Sequence, residues 1–198
     1  MTNKKYKEIK NLPDDYMEES ILTSFSFDKY HEYLEINNSI LKSCDFSKAT
    51  FQGLDIENTE IIDCNFSNLD LSEHSYKKVK FINCNLIGIN FSSSFLEEVE
   101  FINCNIRYGN FNSTHQKNIK YSESILKESS FNEVIWKNID FNDCDLEEVE
   151  FYKTKLNNID LSNCSIENIK VPVSELNGLT VSVEQALALS RLLGIKIK

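Results

Sequence analysis

Two stretches, KVKFINCNL at residues 78–86 and EVEFINCNI at residues 98–106, decide the fold because they repeat each other at a distance of 20 residues. Within each stretch a large apolar residue recurs after five residues, as Phe101 and Ile106 do. A helix repeats its faces after about 3.6 residues and a flat strand after about 2, so neither produces this spacing. The chain must instead bend inward once in every five residues, and four such bends close a square coil of 20 residues.

The same spacing extends through most of the chain. A series of large apolar residues runs from Ile36 to Leu176 at every fifth position, and only Gln116 interrupts it. A second series of small or aliphatic residues lies two positions earlier and is broken by His74. The other three positions of each five are mostly polar. A fixed short period over most of a chain is typical of repeat arrays, so we predict a solenoid with both series facing inward.

All six cysteines lie in one column of the 20-residue repeat, and Ser124 fills its only gap. These residues are Cys44, Cys64, Cys84, Cys104, Cys144 and Cys164. A metal site needs ligands that converge on a point, whereas a column spreads along the rod. Neighbours separated by roughly 4.8 Å come near the Cα distance of a disulfide, but their side chains point in parallel. We therefore predict reduced thiols packed in the core, with no metal site and no cofactor.

The residues that most often carry catalysis are scattered. His31, His74 and His115 lie far apart in the sequence, and the inward position of His74 indicates a hydrogen-bonded core residue. The five glycines form no phosphate-binding loop, and no nucleophile elbow is present. The sequence therefore predicts a protein that is not an enzyme and has no catalytic residues.

The net charge of −10 disfavours direct binding to nucleic acid or to an anionic membrane. It suits a basic partner, including a protein that itself holds nucleic acid, although it also serves solubility alone. No apolar run reaches the length of a membrane span and no signal core is present, which predicts a cytoplasmic protein. The acidic density is highest in residues 140–150, and the candidate partner surface there comprises Asp140, Asp143, Asp145, Glu147, Glu148 and Glu150.

Two irregularities stand out in the repeat. Gln116, within residues 112–118, takes the place of a large apolar residue, which predicts either a local bulge or a hydrogen-bonded inward glutamine, and we favour the bulge. Ile62, Ile82 and Ile102 stack at outward positions on successive coils. Such an apolar stripe is either a second candidate partner surface or a surface covered by an N-terminal segment.

The ends divide the chain into three predicted parts. We expect an N-terminal cap at residues 1–33, in which Leu12-Pro13-Asp14-Asp15 is suited to starting a short helix. The repeat then occupies residues 34–180, and a C-terminal helix with a dimerisation segment occupies residues 181–198. Ser182 and Gln185 form a capping box.

The predicted C-terminal helix, at about residues 183–193, ends at Gly194. Its apolar side chains spread over more of the helix circumference than one buried stripe requires. We therefore expect one side of the helix to plug the solenoid and the other to contact a second copy of the chain. The candidate dimer interface comprises Val183, Ala186, Leu187, Leu189, Leu192 and Leu193.

The repeat unit resembles that of the pentapeptide-repeat family, in which a small residue and an Asp or Asn precede Leu or Phe. It reads Cys-Asp-Phe-Ser-Lys at 44–48, Cys-Asn-Phe-Ser-Asn at 64–68 and Leu-Asp-Leu-Ser-Glu at 69–73, and it covers residues 34 to 176. This resemblance implies an all-β fold, a right-handed quadrilateral β-helix.

The C-terminal segment is similar to that of Qnr-type pentapeptide-repeat proteins, and most of all to loop-free relatives in Gram-positive bacteria. The matching residues are Gly178-Leu179-Thr180-Val181, Glu184-Gln185-Ala186 and Leu192-Leu193-Gly194-Ile195. The resemblance implies a rod-like homodimer joined at the C terminus. It also implies binding to DNA gyrase or topoisomerase IV by DNA mimicry, with protection from quinolones. Well-known Qnr proteins carry projecting loops, whereas this chain has no insertion in its repeat. A structural scaffold with an unrelated protein partner is the alternative.

Overall fold

The chain winds as a right-handed, four-sided β-helix in a computed structural model that describes residues 6–12 and 16–196. Each side takes five residues, and neighbouring coils pair in parallel at a spacing of 20, as Phe81 does with Ile61 and Phe101. The fold predicted from the two periods is confirmed.

Fifteen short strands form the coils within the described residues. They are β1 Lys7–Ile9, β2 Tyr16–Glu18, β3 Ser20–Thr23, β4 Tyr30–His31, β5 Leu34–Asn37, β6 Ile40–Lys42, β7 Thr50–Phe51, β8 Leu54–Glu57, β9 Glu60–Ile62, β10 Ser75–Lys77, β11 Lys80–Ile82, β12 Phe95–Glu97, β13 Glu100–Ile102, β14 His115–Ser122 and β15 Ile135–Asn142.

We number the sides in chain order. Side 1 carries β2, β5, β8, β10 and β12, and side 2 carries β1, β3, β6, β9, β11 and β13. Strands β14 and β15 continue round the corner between these sides and join both in one 13-stranded sheet. Side 3 is connected by single parallel bridges that run from Ser26 to Ser165. Side 4 combines the β4–β7 pair with bridges from Asp70 to Lys170.

The core is a set of side-chain columns along the inside of the coil. Phe101 lies between Phe81 and Tyr121, with ring centroids 5.1 and 5.0 Å apart and the planes nearly parallel. Each fully buried side chain of this size contributes roughly 1.5–3 kcal/mol, and stacking adds to that value. Because no single coil can bury these columns alone, stability depends on the contact between neighbouring coils.

The corners have a backbone conformation that most residues avoid. The second residue after most large inward residues has a positive φ, and at non-glycine positions such as Asn58, Asp63 and Asn68 it lies between 45° and 62°. Asn and Asp tolerate this left-handed region better than most side chains. Their frequency at the corners follows from that tolerance.

The bulge that we favoured at residues 112–118 does not form. Gln116 pairs with Leu96 on one side and Trp136 on the other, so the register of 20 continues. Its side chain is buried, donates a hydrogen bond to Thr114 Oγ1 at 3.0 Å and accepts one from the Tyr121 hydroxyl at 3.2 Å. These partners satisfy the amide inside the core, which removes the need for a bulge.

Coil formation begins before the predicted boundary at residue 34. Met17, Leu22 and Phe27 are buried at a spacing of five. Ser26 pairs with Asp45 at a distance of 19 residues, whereas Tyr30 pairs with Thr50 at a distance of 20. One side of this first coil is therefore a residue short, which shifts it out of the five-residue series. Residues 13–15 of the predicted helix start lie outside the described residues.

The C-terminal segment follows the prediction for residues 183–193. An α-helix, α1 at Val183–Leu189, continues into a 3₁₀ helix at Ser190–Leu193 and ends at Gly194, where φ is 71°. Both hydrogen bonds of the predicted capping box are present. A further 3₁₀ helix at Val173–Leu176 precedes this segment.

The strand pairing is interrupted where the coil that contains Trp136 meets the next coil. Within the described chain, no backbone hydrogen bond joins residues 135–143 to residues 155–163. Instead, Trp136 Nε1 donates to the Lys155 carbonyl at 2.7 Å. On side 4 Glu150 still pairs with Lys170, so the register is kept. We call this gap between residues 135–143 and 155–163 the seam.

Candidate interaction surfaces

The predicted acidic surface does not lie on one face. Asp140 belongs to side 2, Asp145 pairs with Ser165 on side 3, and Glu150 pairs with Lys170 on side 4. A run of eleven residues turns two corners of a coil whose sides are five residues long. The six carboxylates are therefore distributed over three sides.

Four of these six carboxylates already accept hydrogen bonds within the chain. Glu147 accepts from Lys127 Nζ at 2.7 Å, and Glu150 accepts from Lys170 Nζ at 2.9 Å. The hydrogen bond from Lys170 holds the pKa of Glu150 below its usual value. Asp145 Oδ1 accepts from the Glu147 backbone N–H at 3.0 Å, which stabilises the turn.

Among the described residues, Asp143 Oδ2 accepts only from the neutral Asn142 Nδ2, at 3.0 Å. Within the described chain Asp140, Asp143 and Glu148 form no ion pair. The six ion pairs among the described residues all join residues 20 apart, and Lys77–Glu57 and Lys117–Glu97 are examples. Charges at these positions therefore connect neighbouring coils and support their register.

The isoleucine stripe is present on side 2. Ile82 pairs with Ile62 and Ile102, and all three are half-buried. Lys42 and Ser122 limit the stripe at its two ends. Strand β1 pairs with β3 at the edge of this sheet, so the described part of the N-terminal segment extends the sheet.

The C-terminal helix leaves most of its apolar side chains exposed. Leu189 packs against the core, whereas Leu193 is 60% exposed. The other exposed members of the candidate dimer interface are Val183, Ala186, Leu187 and Leu192. A cleft of 510 Å³ lies beside the helix, and its apolar walls comprise Val173, Leu176, Leu179, Val181, Leu189 and Leu193. The segment therefore presents an apolar surface at one end of the rod.

The cysteine column is buried and unbridged, with all six thiols free. The interaction between paired thiols raises the pKa of one member of each pair, Cys64, Cys84 and Cys144, and lowers the pKa of the other, Cys44, Cys104 and Cys164, whereas burial raises it in both. A raised pKa lowers the thiolate fraction and with it the nucleophilicity. Burial also lowers the pKa of the half-buried His74 imidazole, which favours its neutral form.

No group of three or more His, Cys, Asp or Glu side chains is placed to hold a metal ion in the described part of the chain. Within that part, none of the helices has the length and apolar composition needed to cross a bilayer.

An exposed column on side 1 was missed from the sequence. Phe95 is 57% exposed and stacks on His115, with ring centroids 4.9 Å apart. Ile135, which follows on the next coil, is 64% exposed. Aligning the outward residues at a spacing of 20 would have shown this column, in the same way as the isoleucine stripe. The column leads to the seam, which has no comparable sequence signal.

Comparison with known proteins agrees with the geometry. A family model described as a pentapeptide repeat region matches residues 34–111 and 74–151, which together span more than half of the chain. No curated protein sequence matches.

Among solved structures, a trypsin-treated variant of QnrB1, a plasmid-mediated fluoroquinolone resistance protein, is 20% identical, with a TM-score of 0.54. This match covers 90% of the present chain and 100% of that chain. Full-length QnrB1 is 19% identical over 89% of this chain and 100% of that chain, with a TM-score of 0.46. HetL of the cyanobacterium Nostoc is 12% identical over 90% of each chain, with a TM-score of 0.30.

The likeness to the QnrB1 variant is one of fold, whereas the family model matches the repeat in the sequence itself. The chain belongs to the pentapeptide-repeat family.

Proposed function

We propose that this chain is a non-enzymatic, protein-binding solenoid that forms a homodimer through residues 181–198. The observation that carries this proposal is the exposed apolar surface of the C-terminal helix beside its cleft. Exposed apolar patches of this kind mark interaction sites. A cytoplasmic location fits the six unbridged cysteines, because disulfides are rare in reducing compartments.

Light scattering on the purified chain tests the dimer. Leu193→Glu places a charge in the proposed interface, so we expect a monomer at micromolar concentration. Ile135→Glu is the matched control, because Ile135 is 64% exposed and lies on side 1, away from the helix. A wild-type protein that is monomeric, or a control that also dissociates, contradicts the proposed interface.

The partner that we propose is a type II topoisomerase, DNA gyrase or topoisomerase IV, whose DNA-binding surface the acidic rod occupies. The net charge of −10 supports this choice, and so does the resemblance of the C-terminal segment to Qnr-type proteins. Binding to a basic groove should weaken as salt rises, because exposed charges are screened beyond about 8 Å at physiological ionic strength. Protection from quinolones is a further outcome of the same contact.

The unpaired carboxylates give the sharpest test of this partner. Neutralising Asp140, Asp143 and Glu148 together should weaken binding more than neutralising the lysine-paired Glu147 and Glu150. Duplex DNA should compete, and supercoiling assays with and without quinolone separate inhibition from protection. If neither enzyme binds at low salt, the topoisomerase proposal is rejected.

A scaffold with an unrelated protein partner is the second candidate, and the stripe of Ile62, Ile82 and Ile102 favours it. Ile82→Asp should abolish capture of such a partner and leave topoisomerase binding unchanged. Capture that survives this substitution contradicts a contact through the stripe.

A further inference from the structure

The seam leaves polar backbone groups without their usual partners. One coil later, the Leu156 N–H donates to the Glu175 carbonyl at 3.1 Å. At the seam the equivalent acceptor, the Lys155 carbonyl, is bound by the indole of Trp136. Within the described residues, no hydrogen bond joins the Trp136 backbone N–H to residues 155–163. An unpaired row of this kind is a template for a further strand.

The seam also contains space. A cleft of 250 Å³ opens on side 1, lined by Trp136, Lys137, Asn138, Ile139, Asn157 and Ile159. Trp136 and Ile139 are half-buried, whereas the residues that precede them in the same columns, Gln116 and Ile119, are buried. Apolar side chains of the core are therefore accessible at this position.

The side 1 rim of this cleft carries two positive charges, whereas Asp140 and Asp160 lie beyond the corner on side 2 and Glu175 lies near Lys155 on the next coil. Lys137 and Lys155 are exposed on side 1, and neither forms an ion pair within the described residues. By contrast, Lys117, which precedes Lys137 in its column, is paired with Glu97. Two free lysines beside an apolar cleft favour a ligand with carboxylates next to an apolar side chain.

We propose that the side 1 part of the seam is a strand-acceptor site for an extended, acidic peptide segment of a partner protein. The peptide backbone pairs with the seam-facing groups of Trp136 and Asn138 on one coil and of Asn157 on the next, beside the Lys155 carbonyl that the indole of Trp136 already occupies. Its carboxylates face Lys137 and Lys155, and an alternate apolar side chain contacts Trp136. In strand addition of this kind, main-chain hydrogen bonds provide affinity and alternate side chains provide specificity. The site uses neither the dimer segment nor the unpaired carboxylates, so it does not depend on the function proposed above.

Trp136 is the single tryptophan of the chain, so its fluorescence reports directly on the seam. The probe is a short peptide of alternating glutamate and valine, and its counterpart carries lysine in place of glutamate. A third peptide keeps the glutamates but has methylated backbone nitrogens, which removes the donors for strand pairing. We expect the acidic peptide to shift the emission of Trp136 and to slow amide exchange at residues 136–138 and 155–157.

Charge reversal tests the two lysines. The double variant Lys137→Glu with Lys155→Glu should bind the acidic peptide about tenfold more weakly, because two exposed ion pairs become repulsions. The matched control reverses Lys42 and Lys48, which are also exposed but distant from the seam, and should bind normally. It has the same net charge as the test variant.

Three results would overturn the proposal. They are no binding of the acidic peptide at millimolar concentration, equal binding of the lysine or N-methylated peptide, and amide protection that lies outside the seam. Circular dichroism of each variant separates loss of binding from loss of folding.

Discussion

The boundary between β14 and β15 and the seam lie one coil apart and have the same 20-residue spacing, yet one is paired and the other is open. In the first, β15 pairs with β14 on both sides of a corner. In the second, sides 3 and 4 keep their backbone pairing, whereas within the described residues sides 1 and 2 are joined only by side-chain hydrogen bonds, from Trp136 to the Lys155 carbonyl and from Asn163 to Asn142. The period therefore sets the register of the coils, whereas closure of each ladder depends on the side chains in its columns.

Two columns differ between these boundaries. At the paired boundary the side chain of Gln116 is buried in the core. The exposed residues Lys120 and Asp140 lie opposite each other there and have opposite charges. At the seam, the indole of Trp136 reaches the next coil, and Asp140 is followed in its column by Asp160, which has the same charge. Excess volume and like charges both oppose close stacking, and we infer that together they hold the seam open.

The largest expected effect is on the free energy of unfolding, and it separates two isoleucines of one column. Ile119 is fully buried at the paired boundary, and its partner Ile139 is half-buried at the seam. Ile119→Ala should lower the free energy of unfolding by about 2–5 kcal/mol. Ile139→Ala should cost less than about 2 kcal/mol, because part of its surface is already exposed to water. Urea unfolding of both variants measures the difference.

The chemical change is identical in these two variants, so each is the control for the other. Equal midpoints with equal slopes would mean that the seam is closed in solution, and the comparison would fail.

The two periods predict much of this architecture but not all of it. Spacings of five and 20 were enough for the coil and for the cysteine column, and the capping box follows from Gln185 three residues after Ser182. The first coil was assigned to a cap because one short side between Ser26 and Tyr30 shifts Met17, Leu22 and Phe27 out of the series.

The two atypical inward residues were harder to interpret from the sequence. The bulge at Gln116 was a wrong prediction because the periodicity does not show hydrogen bonds. The partners that satisfy its amide, Thr114 and Tyr121, lie at other inward positions. The seam was missed because Trp136 satisfies the apolar pattern. Its effect on the ladder depends on volume and on the direction of one indole N–H.

A double-mutant cycle tests how the paired boundary tolerates a polar core residue. Gln116→Leu removes the acceptor of the buried Tyr121 hydroxyl and should destabilise the fold by about 1–3 kcal/mol. Adding Tyr121→Phe should recover most of this loss, since no unsatisfied hydroxyl remains. The free energies of unfolding of the two single variants and the double variant give the coupling. Additive effects would mean that this hydrogen bond does not stabilise the boundary.

Trp136→Leu tests whether the indole holds the seam open. Leu occupies the corresponding position at Leu96 and Leu156, so residues 136–142 should pair with the next coil and exchange their amides more slowly. The change in stability should stay within about 1.5 kcal/mol, because the new ladder offsets the packing lost against Phe131. Amide exchange measured by mass spectrometry decides the question. Unchanged exchange at these residues would assign the opening to another cause, with the pair Asp140 and Asp160 next to test.

The smallest effect concerns the ion pair on side 4 that joins the same two coils that the seam separates on sides 1 and 2. Lys170 holds the pKa of Glu150 below its usual value, so the pair stabilises the folded state above the pKa of the unfolded chain. This contribution is lost as the pH falls through the lower folded-state pKa. Because both side chains are largely exposed, Glu150→Gln should cost at most about 1 kcal/mol at neutral pH and nothing in acid.

The same substitution bears on the seam itself, because Glu150 and Lys170 connect the two coils that it separates. Glu150→Gln should therefore speed amide exchange at residues 136–142. Glu147→Gln removes an equivalent pair with Lys127 at the paired boundary, so it should leave these amides unchanged. Exchange that rises equally in both variants would show that side 4 does not limit the opening. Exchange that rises only in Glu150→Gln would show that the closed sides restrain the open ones.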